Sequence, residues 1–221
     1  YIYYLKMFIN NFDPVAIQIF SFEIRWYSLA YIFGILFGWI YCKKRLISEQ
    51  KILDLFDDLL VYIIIGIILG GRIGYVLFYN PEYYLKNLSQ ILMIWNGGMS
   101  FHGGLVGVFI ATLIFGGKKN INPYIFLDLI ALVAPIGIFF GRIANFINIE
   151  LYGRVTNFNF AMIYPTIDNL PRHPSQLYEA LFEGIILFVI MYFLHFKKIR
   201  EQIHGINTSF SLVSTTIRFC S

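Results

Sequence analysis

PYIFLDLIALVAPIGIFFGRIANFINIELYG, residues 123–153, decides how this chain is read. From Pro123 to Ile147 it is apolar except for Asp128 near its start and Arg142 and Asn145 near its end. A helix crossing the bilayer core needs about 20 mostly apolar residues, and this run has that length. An ionisable side chain inside such a run is costly without a partner or a task, so Arg142 is the residue to explain. Arg142, Asn145, Ile149 and Tyr152 recur at helical spacing, which puts Arg142 and Asn145 on one face. A guanidinium is a planar fork of donors suited to phosphate. Two blander readings stand beside that one. Arg142 could snorkel to the interface, or it could pair with Glu150 in a structural ion pair.

Working outward, residues 26–41, 59–79, 101–117 and 177–196 are further apolar stretches of spanning length. The expected fold is therefore all-α, a polytopic integral membrane helical bundle with five clear spans. The whole of 1–221 reads as a single transmembrane domain, with 1–25 as an N-terminal outer segment. Residues 201–221 (EQIHGINTSFSLVSTTIRFCS) occupy the place of a sixth span. They are hydroxyl-rich and weakly apolar, and read as an atypical, truncated tail. Composition agrees: 58% of the 221 residues are hydrophobic and 14% charged, against about 25% charged in ordinary soluble chains. That excludes a disordered chain. It also leaves too little polar surface to cover a soluble globular enzyme.

The net charge is +4. A basic balance can signal nucleic acid, but here the cations sit in short clusters between apolar runs, and no nucleic-acid partner is expected. Lys43, Lys44, Arg45 and Lys51 form one cluster, Lys118 and Lys119 a second, and Lys197, Lys198 and Arg200 a third. By the positive-inside rule these ends are cytoplasmic. The N-terminus and the segments 80–100 and 148–175 then lie outside. Trp26, Tyr27, Tyr79, Tyr83, Tyr84 and Trp95 fall near the outer boundary, as an aromatic belt does. Cys42 and Cys220 give neither metal spacing nor a disulfide framework.

With depth assigned, the polar residues converge on the outer side. His102 opens the third stretch in SFHGGLVG, beside Gly103 and Gly104. Histidine accepts a proton near neutral pH, although a lone histidine is more often structural. Arg72 lies in GGRIGYVLFYN, residues 70–80, among glycines suited to tight helix packing. Asp128 and Glu150 are its candidate carboxylate partners, and a lipid phosphate is the other option. RHPSQLYEALFEG, residues 172–184, opens a helix with Glu179 and Glu183 on one face and Gln176 a turn earlier. These polar groups read as hydrogen-bonded support for a buried Arg, or as polar glue between helices. No serine-nucleophile elbow, P-loop or dinucleotide fingerprint occurs, so no cofactor and no metal are expected.

GRIANFINIELYG, residues 141–153, resembles the signature of prolipoprotein diacylglyceryl transferases, G-R-x-(G or A)-N-F-x-N-x-E-x-x-G. FDPV at 12–15, RWYSLAY at 25–31, GGRIGYVLFYN at 70–80, MSFHGGL at 99–105 and HPSQLYEA at 173–180 are similar to family segments in the same order. The resemblance covers roughly residues 12 to 200. It implies a bacterial inner-membrane enzyme, multi-pass, with its active site toward the outer leaflet. Such an enzyme moves the diacylglyceryl group of phosphatidylglycerol to the lipobox cysteine of a prolipoprotein signal peptide. A thioether forms and glycerol phosphate leaves, so the lipid bilayer, phosphatidylglycerol and signal peptides are the implied partners.

The resemblance also implies roles. Arg142 matches the arginine that binds the lipid headgroup, and His102 the proposed general base. Tyr27, Asn145 and Gly153 match positions needed for activity. Tyr27 and Asn145 are expected to orient headgroup oxygens, and Gly153 to permit a loop conformation. Glu150 matches a further important position, expected to orient Arg142. Arg218 stands near the arginine of the family's R-F-x-x-E pattern, a second phosphate contact, but the Glu that follows it in the family is missing here. Two rival readings remain: an inactive, truncated family member, and a small-anion transporter. The transporter predicts polar groups through the depth of several spans and an inverted repeat, and neither is visible.

Overall fold

Helices dominate this computed structural model, which describes residues 7–203 apart from 21 and 48. The tail from 204 onward, with Arg218 and Cys220, lies outside the described residues. Along the chain, strands β1 (Phe8–Ile9), β2 (Val15–Ile19) and β3 (Phe22–Arg25) precede helix α1 (Trp26–Tyr41) and a π-turn at Cys42–Leu46. Helices α2 (Gln50–Phe78), α3 (Pro81–Lys86), α4 (Phe101–Lys119) and α5 (Pro123–Ile147) follow. Strands β4 (Met162–Tyr164) and β5 (Asp168–Arg172) lead into α6 (Ser175–Glu179), a π-helical stretch Ala180–Ile186 and α7 (Leu187–Ile203). The helix over 175–195, α4 and α5 are each long and apolar enough to cross a membrane.

The all-α expectation needs correction, because the described residues include five short strands beside the dominant helices. β2 and β3 form an antiparallel hairpin feeding α1, while β1, β4 and β5 form a three-stranded sheet in the order β1-β4-β5. These segments are too short to span, and alternating residues such as Val15, Ile17 and Ile19 favour a pleated surface. Neighbouring strands supply the backbone partners that a loop would otherwise lack.

The chain divides into two compact units. One comprises Lys43–Leu129 and the other Tyr1–Cys42 with Ile130–Ser221. In the first, α2 packs on α4 through small residues. A Cβ placed on Gly66 would lie 2.6 Å from the Gly107 oxygen, and one on Gly74 would lie 2.8 Å from the Gly103 Cα. Between helices in lipid the attraction comes from close packing, and glycines permit it. The buried residues of α4 include Gly104, Gly107 and Ala111, whereas Leu105, Val106, Phe109 and Ile110 are exposed. Over residues 101–111 small residues thus face inward and large apolar ones outward, the pattern of a lipid-facing helix. Ser100 caps α4 by accepting from Gly103 N at 3.2 Å, and Asn120 closes it in the left-handed region. Lys119 at that end pairs with Asp58 at 2.9 Å, and Lys43 with Asp57 at 2.9 Å.

In the second unit, Gly34 of α1 meets Gly137 of α5, where an added Cβ would lie 2.9 Å from the Gly137 Cα. Gly184 in the π-helical stretch lies against Phe139 in the same way. Asn10 is fully buried and donates to the Phe146 carbonyl at 2.8 Å, which ties the N-terminal segment to the end of α5. A buried amide with a partner is stable where an unpaired one is not.

Candidate active site

The end of α5 and the start of α6 form the best-furnished polar site of the second unit. Arg142 is carried by α5 and keeps 27% of its side chain exposed. Its Nη1 lies 2.9 Å from Glu179 Oε2, an ion pair off the hydrogen-bond line, and its Nη2 donates to Glu183 Oε2 at 3.1 Å. Both glutamates sit at the π-helical stretch, a widened turn of a kind that recurs at functional sites. The support that the 172–184 segment offered to a buried Arg is thus support for Arg142.

Glu150 does something other than orient Arg142. Its Oε2 accepts from Asn145 Nδ2 at 2.8 Å, while its main-chain oxygen accepts from Gln176 Nε2 at 2.6 Å. Gln176 is fully buried and accepts in turn from the Tyr164 hydroxyl at 3.3 Å. A polar chain therefore runs from β4 through α6 to Asn145. Burial pushes the Tyr164 hydroxyl above its ordinary pKa, partly offset by the bond to Gln176.

Gly153 is required for close approach and not for an unusual loop conformation, since its φ is outside the left-handed region. A Cβ there would lie 2.5 Å from the His173 oxygen, to which Gly153 N donates at 3.0 Å. His173 N donates back to the Arg154 oxygen at 3.0 Å, and Thr156 N to the Pro171 oxygen at 2.9 Å. The segment after Gly153 is thereby laced to β5.

Arg142, Tyr152, Gly153, Arg154, Arg172 and Glu179 are among the residues lining a cleft of about 600 Å³. Ligand sites fall in the range of roughly 300–1,000 Å³. Arg172 is fully engaged. It binds Asp168 through Nε at 3.2 Å and through Nη2, donates from Nη1 to the Gly153 oxygen at 3.2 Å, and lies 5.0 Å over the Tyr152 ring. The hydrogen bond from Arg172 holds the Asp168 carboxyl below its usual pKa. Neither Arg154 nor Arg172 is singled out by the sequence. Their adjacency to Gly153 and to the HPSQ segment was the available signal.

Tyr27 begins α1 and is half-buried, with its ring 5.3 Å from that of Tyr31. His102 lies in the other unit, exposed in the first turn of α4 beside Phe101. Arg72 is in that unit too, 4% exposed, and its partner is neither Asp128 nor Glu150. It donates from Nε to Ile91 O at 2.8 Å, from Nη1 to Gly98 O at 3.0 Å and to Gly97 O, and from Nη2 to Met93 O at 3.2 Å and to Gln90 O. Tyr84 covers it at 5.1 Å and is itself buried, so this belt residue shields a cation. Gly97 and Gly98 have φ of 81° and 83°, which only glycine adopts readily, and so turn their carbonyls inward. Among the described residues no cluster of metal-ligating side chains occurs.

A family model described as prolipoprotein diacylglyceryl transferase matches residues 14–221. The chain is also similar to proteins named phosphatidylglycerol–prolipoprotein diacylglyceryl transferase. The one from Rickettsia felis is 49% identical over 205 residues, covering 92% of this chain and 79% of that protein. The one from Rickettsia canadensis is 51% identical over 193 residues, 86% of this chain and 74% of that protein. For Rickettsia typhi the figures are 47% over 213 residues, 94% and 81%. With a match of that extent and identity, the chain belongs to the prolipoprotein diacylglyceryl transferase family.

Proposed function

We propose that this chain transfers the diacylglyceryl group of phosphatidylglycerol to the lipobox cysteine of prolipoproteins. The cysteine sulfur bonds to the glycerol carbon, the bond from that carbon to the phosphate oxygen breaks, and glycerol phosphate leaves. The thiol proton passes to His102. A free thiol has a pKa of about 8.5, so a base raises the reactive thiolate fraction. The substrate supplies the nucleophile, and the chemistry needs neither metal nor nucleotide.

The observation that carries this reading is Arg142, a guanidinium in an apolar helix that opens on a cleft. Negative charge on the phosphate grows as the carbon–oxygen bond breaks. A fixed cation there stabilises the transition state more than the ground state. A guanidinium has more N–H groups than Glu179 and Glu183 occupy, which leaves donors for phosphate oxygens. Asn145, held by Glu150, and Tyr27 orient headgroup oxygens, and Gly153 keeps the cleft wall against His173.

In this reading the chain is one transmembrane domain of the bacterial inner membrane, with five spans and its site toward the outer leaflet. α1 and α2 are the remaining two spans. The cation clusters at 43–51, 118–119 and 197–200 support the orientation. The test is transfer of labelled diacylglyceryl from phosphatidylglycerol vesicles to a lipobox peptide. A thioether product is expected, with none on a peptide whose cysteine is replaced by serine. His102→Asn is expected to lower the rate. An unchanged rate would remove His102 from the mechanism.

A further inference from the structure

We infer that Arg154 is the cation that captures the anionic headgroup in the cleft, handing its phosphate to Arg142. The inference rests on the proposed transferase reading for the identity of the ligand, an anionic glycerophospholipid, and on charge accounting for the residue. Three arginines line the cleft. Arg142 faces the carboxylates of Glu179 and Glu183, so with all groups ionised its immediate surroundings are net negative. An approaching phosphodiester meets two carboxylates there, and like charges repel at close range. Arg172 is neutralised by Asp168, and its remaining donor contact goes to the Gly153 oxygen. Arg154 is exposed, and among the described residues its guanidinium pairs with no carboxylate.

The backbone of Arg154 is nevertheless fixed. Its oxygen accepts from His173 N, Gly153 N donates to the His173 oxygen, and Val155 bridges Arg172. A long, exposed cationic side chain on a fixed backbone, lining the cleft, is placed to meet an anion before the part-buried Arg142 does. Arg172 is then a clamp that shapes this wall, and its guanidinium is not a ligand for phosphate.

Two readouts test this. The first is the concentration dependence of transfer on phosphatidylglycerol. Arg154→Gln is expected to raise KM roughly tenfold or more, the worth of one charged hydrogen bond, with kcat changed less than about twofold. Arg154→Lys restores part of the loss because it keeps the charge without the fork. Lys86→Gln, which removes an exposed cation outside the cleft, leaves KM unchanged. The second is direct binding of labelled phosphatidylglycerol to the full chain in detergent, which needs no turnover. Weaker binding by Arg154→Gln supports the inference even if the wild-type chain transfers nothing, an outcome that would instead remove the transferase reading. Unchanged binding and KM in Arg154→Gln would overturn it, as would an equal rise in KM for Lys86→Gln.

Discussion

Two arginines in apolar helices, Arg72 and Arg142, look alike in sequence and differ in every contact. Arg72 is buried, and backbone oxygens from Gln90 to Gly98 receive all three of its nitrogens. Arg142 keeps 27% of its side chain exposed, pairs with side chains only, and borders a cleft. The contrast separates two uses of a costly charge. A guanidinium saturated by main-chain carbonyls organises a loop and has nothing left for a ligand. One held by two carboxylates has a fixed orientation and spare donors.

Breaking the contrast from the Arg142 side gives the largest effect. Arg142→Gln is expected to lower transfer by about a hundredfold or more, measured as the initial rate on a lipobox peptide. From the other side, Arg72→Ala strips the carbonyls of 90–98 of their donor. It is expected to lower stability by roughly 2–4 kcal/mol, measured by unfolding in detergent. Gly70→Ala sharpens the account of the helix that carries Arg72. The new Cβ would lie 2.7 Å from the Gly107 Cα, and overpacking of this kind costs about 1–3 kcal/mol.

The smallest effect concerns the clamp beside Arg142. The hydrogen bond from Arg172 lowers the Asp168 pKa from 3.8. A carboxylate with a depressed folded pKa adds stability that is fully present above the unfolded value and fades as pH falls through the folded one. Protection of the Leu170 and Thr156 amides from hydrogen exchange, taken relative to the intrinsic rate at each pH, is therefore expected to hold down to about pH 4 and to fall below it. Asp168→Asn should abolish that dependence.

Much of the helical frame was legible because apolar run length reports it directly. Residues 26–41 and 123–147 coincide with α1 and α5. α2 begins earlier than its apolar run, at Gln50, because Asp54, Asp57 and Asp58 hide an amphipathic start from a hydropathy reading. The strands were invisible for the opposite reason. β1 pairs with β4 across more than 150 residues, a partnership no local pattern encodes. Candidate site residues could be named from the sequence, through the signature at 141–153, but not connected into a network. Which carboxylate meets Arg142, that Glu150 holds Asn145, and that Arg72 needs none are facts of three-dimensional placement. Gly153 was found for its family match, and its physical reason, the His173 backbone, lies twenty residues on.

The contrast is tested most directly by reading transfer and unfolding on the same preparations of Arg142→Gln and Arg72→Ala, with rates expressed per folded molecule. The account predicts that Arg142→Gln folds and loses transfer, whereas Arg72→Ala unfolds more readily and keeps transfer within about tenfold of wild type. Transfer at the wild-type rate by folded Arg142→Gln would contradict it.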